Sequence, residues 1–156
     1  MPPLSLQEIS DRFEISDLLT RYTRAIDTKD FELLDTCFTP DAFVDYTSSG
    51  GVKGEYPEVR AWLAKALAPF PAMMHFVGNS TVELDGDEAR TRTYVINPMA
   101  VAADGGIRHA FTVCAHYVDK LVRTPEGWRI AERIEEEVIF EGALPTSAPT
   151  AQQAVE

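Results

Sequence analysis

The sequence predicts an α+β fold, in which three helices precede a curved antiparallel β-sheet. Up to about Phe70, apolar residues recur at helical spacing. From Met73 onward, four long segments of strand character are separated by short turns that contain glycine. Because the helices come first and the strands follow, the order fits the α+β class and not alternating α/β units. Long strands joined only by tight turns predict a strongly twisted sheet.

The three helices are placed by their capping residues. Ser5 and Glu8 form a capping box that starts the first helix. Asp30 caps a short second helix that ends at Pro40, and Pro57 suits the first position of the third helix. The expected buried stripes are Ile9, Phe13, Leu18, Leu19, Tyr22 and Ile26 in the first helix; Phe31, Leu34 and Phe38 in the second; and Val59, Trp62, Leu63, Ala66, Leu67 and Phe70 in the third.

Five strands are expected. The first, Ala42–Thr47, places Val44 and Tyr46 on one face. The four long strands are approximately Met74–Leu84, Ala89–Ala102, Ile107–Arg123 and Trp128–Phe140. One face of the third long strand is the more apolar and is expected to meet the helices. It holds Ile107, His109, Phe111, Val113, Ala115, Tyr117 and Leu121.

Length and composition indicate one globular domain. The chain has 156 residues, of which 45% are apolar, and a formal net charge of −11. Nucleic acids and anionic membranes both require clustered Lys and Arg, so neither is an expected partner. We expect residues 1–141 to form the domain and residues 142–156, rich in Pro, Ala, Thr, Ser and Gln, to form a flexible tail.

The sequence also predicts a cytoplasmic location. No long apolar run or secretory signal is recognised, and Cys37 and Cys114 fit free thiols better than a disulfide.

Several motifs of cofactor and metal chemistry are absent from the sequence. It contains no G-x-G-x-x-G, P-loop, H-E-x-x-H, paired C-x-x-C or G-x-S-x-G motif, and its three histidines are scattered. The sequence therefore predicts neither a cofactor nor a metal site. What remains is a small set of ionisable residues within apolar stretches.

Asp27 is a candidate because of its position near the C-terminal end of the first helix, in R-Y-T-R-A-I-D-T-K-D. A carboxylate there opposes the helix dipole at a cost of roughly 0.3–1 kcal/mol. Asp27 is either a turn residue or it faces a partner elsewhere in the chain. Tyr22 lies five residues earlier, about 140° away around the helix axis. We therefore expect both side chains to reach one site only if the helix unwinds near Ile26.

His75 opens a strand in A-M-M-H-F-V-G-N and is either a core histidine or a general base. His109, on the apolar face near a turn, could border a pocket. Asn97 shares the apolar face of its own strand and must be hydrogen-bonded if it is buried. Pro98 follows it and predicts a break or bulge, which could aim the Asn97 side chain at a ligand.

Four motifs in order carry a family resemblance: Y-x-x-x-x-D in the first helix, F-T-P-D-A-x-V-D-Y, M-H-F-V-G-N, and Y-V-D-K-L-V-R-T-P-E-G-W-R-I. Together they resemble the SnoaL-like branch of the nuclear-transport-factor-2-like superfamily, over roughly Leu6 to Phe140. The resemblance implies a cone-shaped sheet wrapped around the N-terminal helices, with an apolar pocket at the wide end. It also implies a homodimer or homotrimer formed through the outer face of the sheet.

Within that superfamily, the chain is similar to scytalone dehydratase, bile-acid 7α-dehydratase and hexachlorocyclohexane dehydrochlorinase. These enzymes pair a helix-end aspartate with a strand histidine that removes a proton, and Asp27 and His75 match those positions. Tyr22 and Tyr46 match tyrosines of the dehydratases, and Asn97 stands where the bile-acid enzyme has an aspartate. The dehydrochlorinase's lysine has no counterpart here, and Met99 replaces a histidine of scytalone dehydratase, so the substrates of all three enzymes do not carry over.

The resemblance implies a cofactor-independent lyase or isomerase that acts on a small apolar cyclic hydroxy- or keto-compound. His75 is the expected general base and Asp27 its orienting partner, with Tyr22 and Tyr46 as hydrogen-bond donors and Asn97 as a substrate contact. The expected walls of the site, or alternatively plain core residues, are Trp62, Phe70, Val95, Met99, Phe111 and Val113. The alternative function is a non-catalytic binding or assembly subunit, like the β subunit of ring-hydroxylating dioxygenases.

Overall fold

Within residues 3–143, which the computed structural model describes, the chain forms three α-helices and a seven-stranded sheet. The helices are α1 (Leu6–Thr28), α2 (Phe31–Asp35) and α3 (Tyr56–Ala66). The strands are β1 (Phe38–Asp45), β2 (Lys53–Glu55), β3 (Ala72–Met73), β4 (Phe76–Asp85), β5 (Glu88–Ala103), β6 (Gly106–Thr124) and β7 (Gly127–Gly142), with a 3-10 turn at Thr47–Ser49. The predicted α+β class is confirmed.

The sheet is curved, mixed and unclosed, with the strand order β2-β1-β7-β6-β5-β3 and β4 also paired to β5. Strands β4 to β7 form the predicted antiparallel meander. β1, however, lies parallel to β7, whereas the sequence predicted antiparallel pairing throughout. Hairpin turns dictate direction only for consecutive strands, and β1 reaches β7 without such a turn.

The buried stripe of α1 differs from the expected one at its start. Ile9 and Phe13 were expected inside, but they are 39% and 69% exposed. The inward position of the first turns is instead occupied by Asp11, which starts a regular stripe that continues through Ile15 and Leu18. The carboxylate of Asp11 lies between the two misplaced apolar residues in sequence, so the helix is rotated relative to the expectation.

Asp11 connects the beginning of α1 to the end of β6 and the start of β7. Its carboxylate accepts hydrogen bonds from Arg123 Nη1 and Nη2, at 2.7 and 2.8 Å, and from Trp128 Nε1 at 3.2 Å. Gln7 Nε2 is a further donor, at 3.0 Å. The hydrogen bonds from Arg123 are the main reason why the pKa of Asp11 falls to about 2. A buried carboxylate with this many donors is strongly favoured in its ionised form.

The second helix is shorter than predicted. Asp30 is its N-cap as expected, accepting from the Leu33 N–H at 2.9 Å. The helix ends at Asp35, however, and Phe38 and Pro40 belong to β1, so the prediction that the helix continues to Pro40 is wrong. The pairing of β1 with β7 is irregular after Phe38, which is where a strand can accept a proline.

β-bulges bend the long strands and reverse their side-chain parity. In β6 the bulged residue is Ala110, because Met99 and Ala100 pair with Phe111 and His109. In β7 the bulges fall at Ala131 and Val138. Each extra residue increases local twist and shifts the following side chains to the opposite face. The inner face of the curved sheet covers the helices.

No helix within residues 3–143 is long and apolar enough to cross a membrane. Cys37 and Cys114 are both free, and Cys37 is buried as expected, whereas Cys114 is half-buried. Most of the predicted flexible tail at 142–156 lies outside the described residues, which end at residue 143 as β7 closes.

We expect Asp11→Asn to weaken the fold in a pH-dependent way. The pKa of Asp11, about 2, lies below its ordinary value of 3.8. Ionised Asp11 therefore contributes about 2 kcal/mol to the free energy of unfolding. This contribution is complete above about pH 4 and is lost as the pH falls through the pKa of Asp11 in the folded protein. Urea unfolding at several pH values should show a lower free energy of unfolding for the variant at neutral pH and a smaller difference from the wild type in acid.

The matched control is Asp87→Asn, because Asp87 accepts from the same guanidinium, from Arg123 Nε at 2.8 Å, but has a side chain that is 83% exposed. Exposed pairs contribute little, so this variant should unfold like the wild type. Equal effects of the two substitutions would contradict the account of Asp11.

Candidate active site

His75 lies in a two-residue gap between β3 and β4, both of which pair with β5. The register is the same on either side of the gap, so Met74 is opposite Pro98 and His75 is opposite Asn97. The Met74 N–H donates to the Pro98 oxygen at 3.2 Å, but a proline has no N–H to return. The strand break expected at Pro98 thus occurs in the neighbouring segment, between β3 and β4, while β5 continues past Pro98 without interruption.

The carboxylate of Asp27 binds His75 at this interruption between the two strands. It accepts the backbone N–H of His75 at 2.9 and 3.1 Å and approaches the imidazole Nδ1 of His75 at 2.7 Å. An ionised carboxylate can only accept hydrogen bonds, so Nδ1 carries the proton and Nε2 of the neutral ring is left with its lone pair. The His75 side chain is 6% exposed and that of Asp27 is 22% exposed. Nε2 makes no hydrogen bond with any residue in the described part of the chain.

The helix does not unwind near Ile26, contrary to the prediction. α1 remains helical to Thr28 and ends with Lys29 in the left-handed conformation. Asp27 therefore lies in the last turn. No unwinding is needed, because His75 contacts both side chains: Asp27 bonds its Nδ1, and the Tyr22 ring meets the imidazole edge-on with 6.2 Å between ring centroids.

Three tyrosine hydroxyls meet in the interior, and the ring of one of these residues, Tyr22, packs edge-on against His75. The hydroxyl of Tyr22 lies 3.1 Å from that of Tyr46 and 3.5 Å from that of Tyr117. All three residues are buried, and burial is the main cause that raises the pKa of each hydroxyl well above its usual range. The hydroxyls are therefore neutral. Three protons serve only two contacts within this cluster, so one O–H is left to donate elsewhere.

A buried ion pair lies beneath the tyrosines. Arg133 Nε and Nη2 donate to the two carboxylate oxygens of Asp119 at 2.8 and 2.7 Å, and both side chains are fully buried. The guanidinium also lies over the rings of Tyr22 and Tyr117, 4.1 and 4.0 Å from their centroids. Arg133 Nη1 has no partner among the described residues. Asp119 balances the charge of the guanidinium, but the unpartnered Nη1 N–H and the neutral hydroxyls are oriented donors, which favour developing negative charge on a nearby oxygen.

Sequence reasoning missed Tyr117, Asp119 and Arg133 as site residues. Tyr117 was placed on the inner face but not among the site residues. Asp119 shares the parity of that apolar face, and a charged residue in such a position is a signal that could have been used. Arg133 gave no such signal, because the bulge at Ala131 moves it to the inner face against the alternation set by Ile130.

The remaining apolar candidates lie mainly on the inner face. Phe70 packs edge-on against Phe111 with 5.6 Å between ring centroids, and Met99 pairs with Phe111 across the strands. Val95 and Val113 are buried nearby. Two candidates carry buried polar atoms without a partner in the described chain, namely Asn97 Oδ1 and Trp62 Nε1.

His109 does not lie where the sequence placed it. The prediction that it shares the apolar face with Phe111 is wrong, because the bulge at Ala110 reverses the parity of the preceding residues. Its side chain is exposed, and its Nε2 lies 2.8 Å from Thr112 Oγ1 on the outer face. Ile107, 59% exposed, is displaced in the same way.

Comparisons with known sequences show relatives along most of the chain. A family model described as a SnoaL-like domain matches residues 7–134. Protein Rv2910c of Mycobacterium tuberculosis is 47% identical over 133 residues, which cover 85% of this chain and 88% of that protein.

Solved structures share the fold. The Kfla4162 protein from Kribbella flavida has a TM-score of 0.77 at 25% identity, covering 94% of this chain and 98% of that one. Hexachlorocyclohexane dehydrochlorinase LinA-type3 from Novosphingobium barchaimii has a TM-score of 0.71 at 17% identity, covering 90% and 98%, and this likeness concerns the fold alone. From these matches, this protein belongs to the SnoaL-like domain family of the nuclear-transport-factor-2-like superfamily.

Proposed function

We propose that this protein is a cofactor-independent lyase or isomerase that removes a proton from carbon in a small, largely apolar cyclic hydroxy- or keto-compound. The observation that carries the proposal is the pairing of Asp27 with His75 Nδ1 at 2.7 Å, which leaves the Nε2 lone pair available. A histidine base held in this way needs only a substrate carbon within reach.

In the proposed reaction, His75 Nε2 takes a proton from a carbon next to a carbonyl, and Asp27 stabilises the resulting imidazolium. The free O–H of the cluster formed by Tyr22, Tyr46 and Tyr117 donates to the carbonyl oxygen, where negative charge develops. In an isomerisation, the imidazolium returns the proton to another carbon. In a dehydration, the β C–O bond breaks and the departing hydroxyl takes the proton from the imidazolium and leaves as water.

The inner face supports the proposed substrate class. Phe70, Met99 and Phe111 are buried apolar residues against which a bound ring would pack, whereas Asn97 Oδ1 and Trp62 Nε1 are buried without a partner among the described residues. Buried polar atoms are normally hydrogen-bonded, so a substrate hydroxyl or carbonyl is a natural partner for them. The proposed steps use only side chains of this chain. A cytoplasmic location, in keeping with the free Cys37 and Cys114, is part of the proposal.

We expect His75→Ala to lower the rate of proton abstraction roughly 10²–10⁴-fold, the usual contribution of a positioned base. Asp27→Asn should cause a smaller loss, because the imidazolium loses a compensating charge. The measurement is deuterium uptake from solvent and water loss, followed by NMR, with 3-hydroxycyclohexanone and bicyclic analogues as substrates. Thermal unfolding of each variant establishes whether it remains folded.

The control is His116→Ala, since His116 faces away from this site and bonds Arg92 at 3.1 Å. It should exchange deuterium at the wild-type rate. If folded His75→Ala retains the wild-type rate, the base assignment is wrong. The alternative of a binding or assembly subunit predicts that His75→Ala lowers stability while no substrate undergoes exchange in the wild type.

We further propose that the protein forms a homodimer or homotrimer through the outer face of its sheet. Phe76, Ile96, Cys114 and Ile139 align across four strands, and Tyr94 lies in the next row. Of these, Phe76, Ile96, Ile139 and Tyr94 are between 47% and 66% exposed. Such a contiguous apolar surface, here called the outer-face patch, is typical of a subunit interface.

We expect Ile96→Lys to convert the oligomer to monomer, because it buries a charge at the centre of the outer-face patch. Light scattering coupled to size exclusion measures the mass. The matched control is Phe13→Lys on α1, which is 69% exposed away from the sheet and should leave the mass unchanged. A wild-type protein that is monomeric at high concentration would contradict this part of the proposal.

A further inference from the structure

Glu135 is a buried carboxyl that the proposed reaction does not use. It lies on the inner face of β7, opposite Tyr117 of β6, and is 9% exposed. The turn that follows Tyr46 closes over it. Ser49 Oγ donates to Glu135 Oε2, and Ser48 Oγ donates to the Glu135 carbonyl oxygen at 2.9 Å.

Charged groups on β7 and β1 surround this carboxyl. Arg133 and Glu137 lie two residues before and after it on β7, and Asp45 approaches from β1. Burial is the largest effect and raises the pKa of Glu135 to about 7, against the hydrogen bond from Ser49 and the attraction of Arg133. Both charge states are therefore populated near neutral pH.

The charge of Glu135 acts on the tyrosine cluster. Burial is the main cause of the raised pKa of Tyr117, and Glu135 is the next. At Tyr46, burial and Tyr22 act first, and Glu135 acts in the same direction. The geometry agrees, because Tyr117 is the cross-strand neighbour of Glu135 and Tyr46 directly precedes the turn that bonds it.

We propose that Glu135 is a positioning residue whose charge state sets how strongly the free O–H of the tyrosine cluster, on Tyr46 or Tyr117, donates a hydrogen bond to an oxygen of the bound substrate. Protonated Glu135 leaves these hydroxyls as good donors. Ionised Glu135 opposes negative charge on the substrate oxygen, which a low-dielectric interior makes costly. This inference rests on the proposed function, since it assigns the tyrosines a substrate oxygen to bind.

The same charges indicate a neutral substrate. An anionic ligand bound between His75 and the inner face of the sheet would meet the carboxylates of Asp27, Asp119 and ionised Glu135, while the guanidinium of Arg133 is already paired with Asp119. Repulsion would disfavour a carboxylate or phosphate there. A neutral ketone or alcohol avoids that penalty.

The physical coupling is tested by NMR on protein labelled with ¹³C at the tyrosine ring carbon that bears the hydroxyl. In the wild type, the Tyr46 and Tyr117 signals should shift as the pH passes through the pKa of Glu135. Glu135→Gln keeps the shape and removes the charge, so the step should vanish. Glu137→Gln, at an exposed neighbour on the same strand, should retain the step at a lower pH, because it removes a like charge near Glu135. A step that persists in Glu135→Gln overturns the proposal.

The consequence for the reaction is tested by the pH dependence of kcat for deuterium uptake with 3-hydroxycyclohexanone. Above the pKa of Glu135, the wild type and Glu137→Gln should lose roughly tenfold in rate, and Glu135→Gln should lose none of it. Parallel profiles of wild type and Glu135→Gln, with unchanged stability, overturn the proposed role.

The experiments distinguish failure of the proposed His75 base from failure of the proposed role of Glu135. If His75→Ala exchanges deuterium as fast as the wild type, the proposed base is wrong, whatever Glu135 does. The tyrosine signals report on Glu135 without any substrate, so they decide its coupling to the cluster in either case.

Discussion

The carboxylate of Asp27 joins the end of α1 to the break between β3 and β4 at the edge of the sheet. Pro98 cannot complete the ladder there, and the His75 N–H points away from β5 to Asp27. The same carboxylate holds Nδ1 of the ring. Leaving such donors unsatisfied in a partly buried position costs about 1–3 kcal/mol each. Asp27 therefore both attaches the end of α1 to the edge of the sheet and determines which tautomer His75 adopts. The shape of the site and its chemistry depend on the same contact.

The interior next to this contact is polar but electrically balanced. Arg133 and Asp119 are buried together, and such pairs contribute little net stability because desolvation offsets their attraction. The stacking of the guanidinium on Tyr22 and Tyr117 offsets part of that cost. The pair instead provides a fixed charge distribution that keeps three neutral hydroxyls in place. A site built in this way is organised before a ligand arrives, which is the condition for stabilising developing charge.

The fold class was within reach of the sequence because the spacing of apolar residues survives without coordinates, whereas the contact between Asp27 and His75 was implied by the family resemblance that the motifs carry. The inner-face position of Arg133 and the outer-face position of His109 were not within reach. Each depends on a single bulged residue, Ala131 or Ala110, which reverses parity without a glycine or proline to mark it. The expected unwinding of α1 failed for a different reason, since His75 contacts side chains on two sides of a regular helix.

The most direct test of the central claim is the protonation pattern of the His75 imidazole, measured by ¹⁵N NMR above the pH at which the ring loses its second proton. We predict a proton on Nδ1, a strong hydrogen bond to Asp27, and an unprotonated Nε2. Asp27→Asn should weaken this preference. A neutral ring in the wild type that carries its proton on Nε2 would contradict the account, because the atom assigned to remove the substrate proton would have no lone pair.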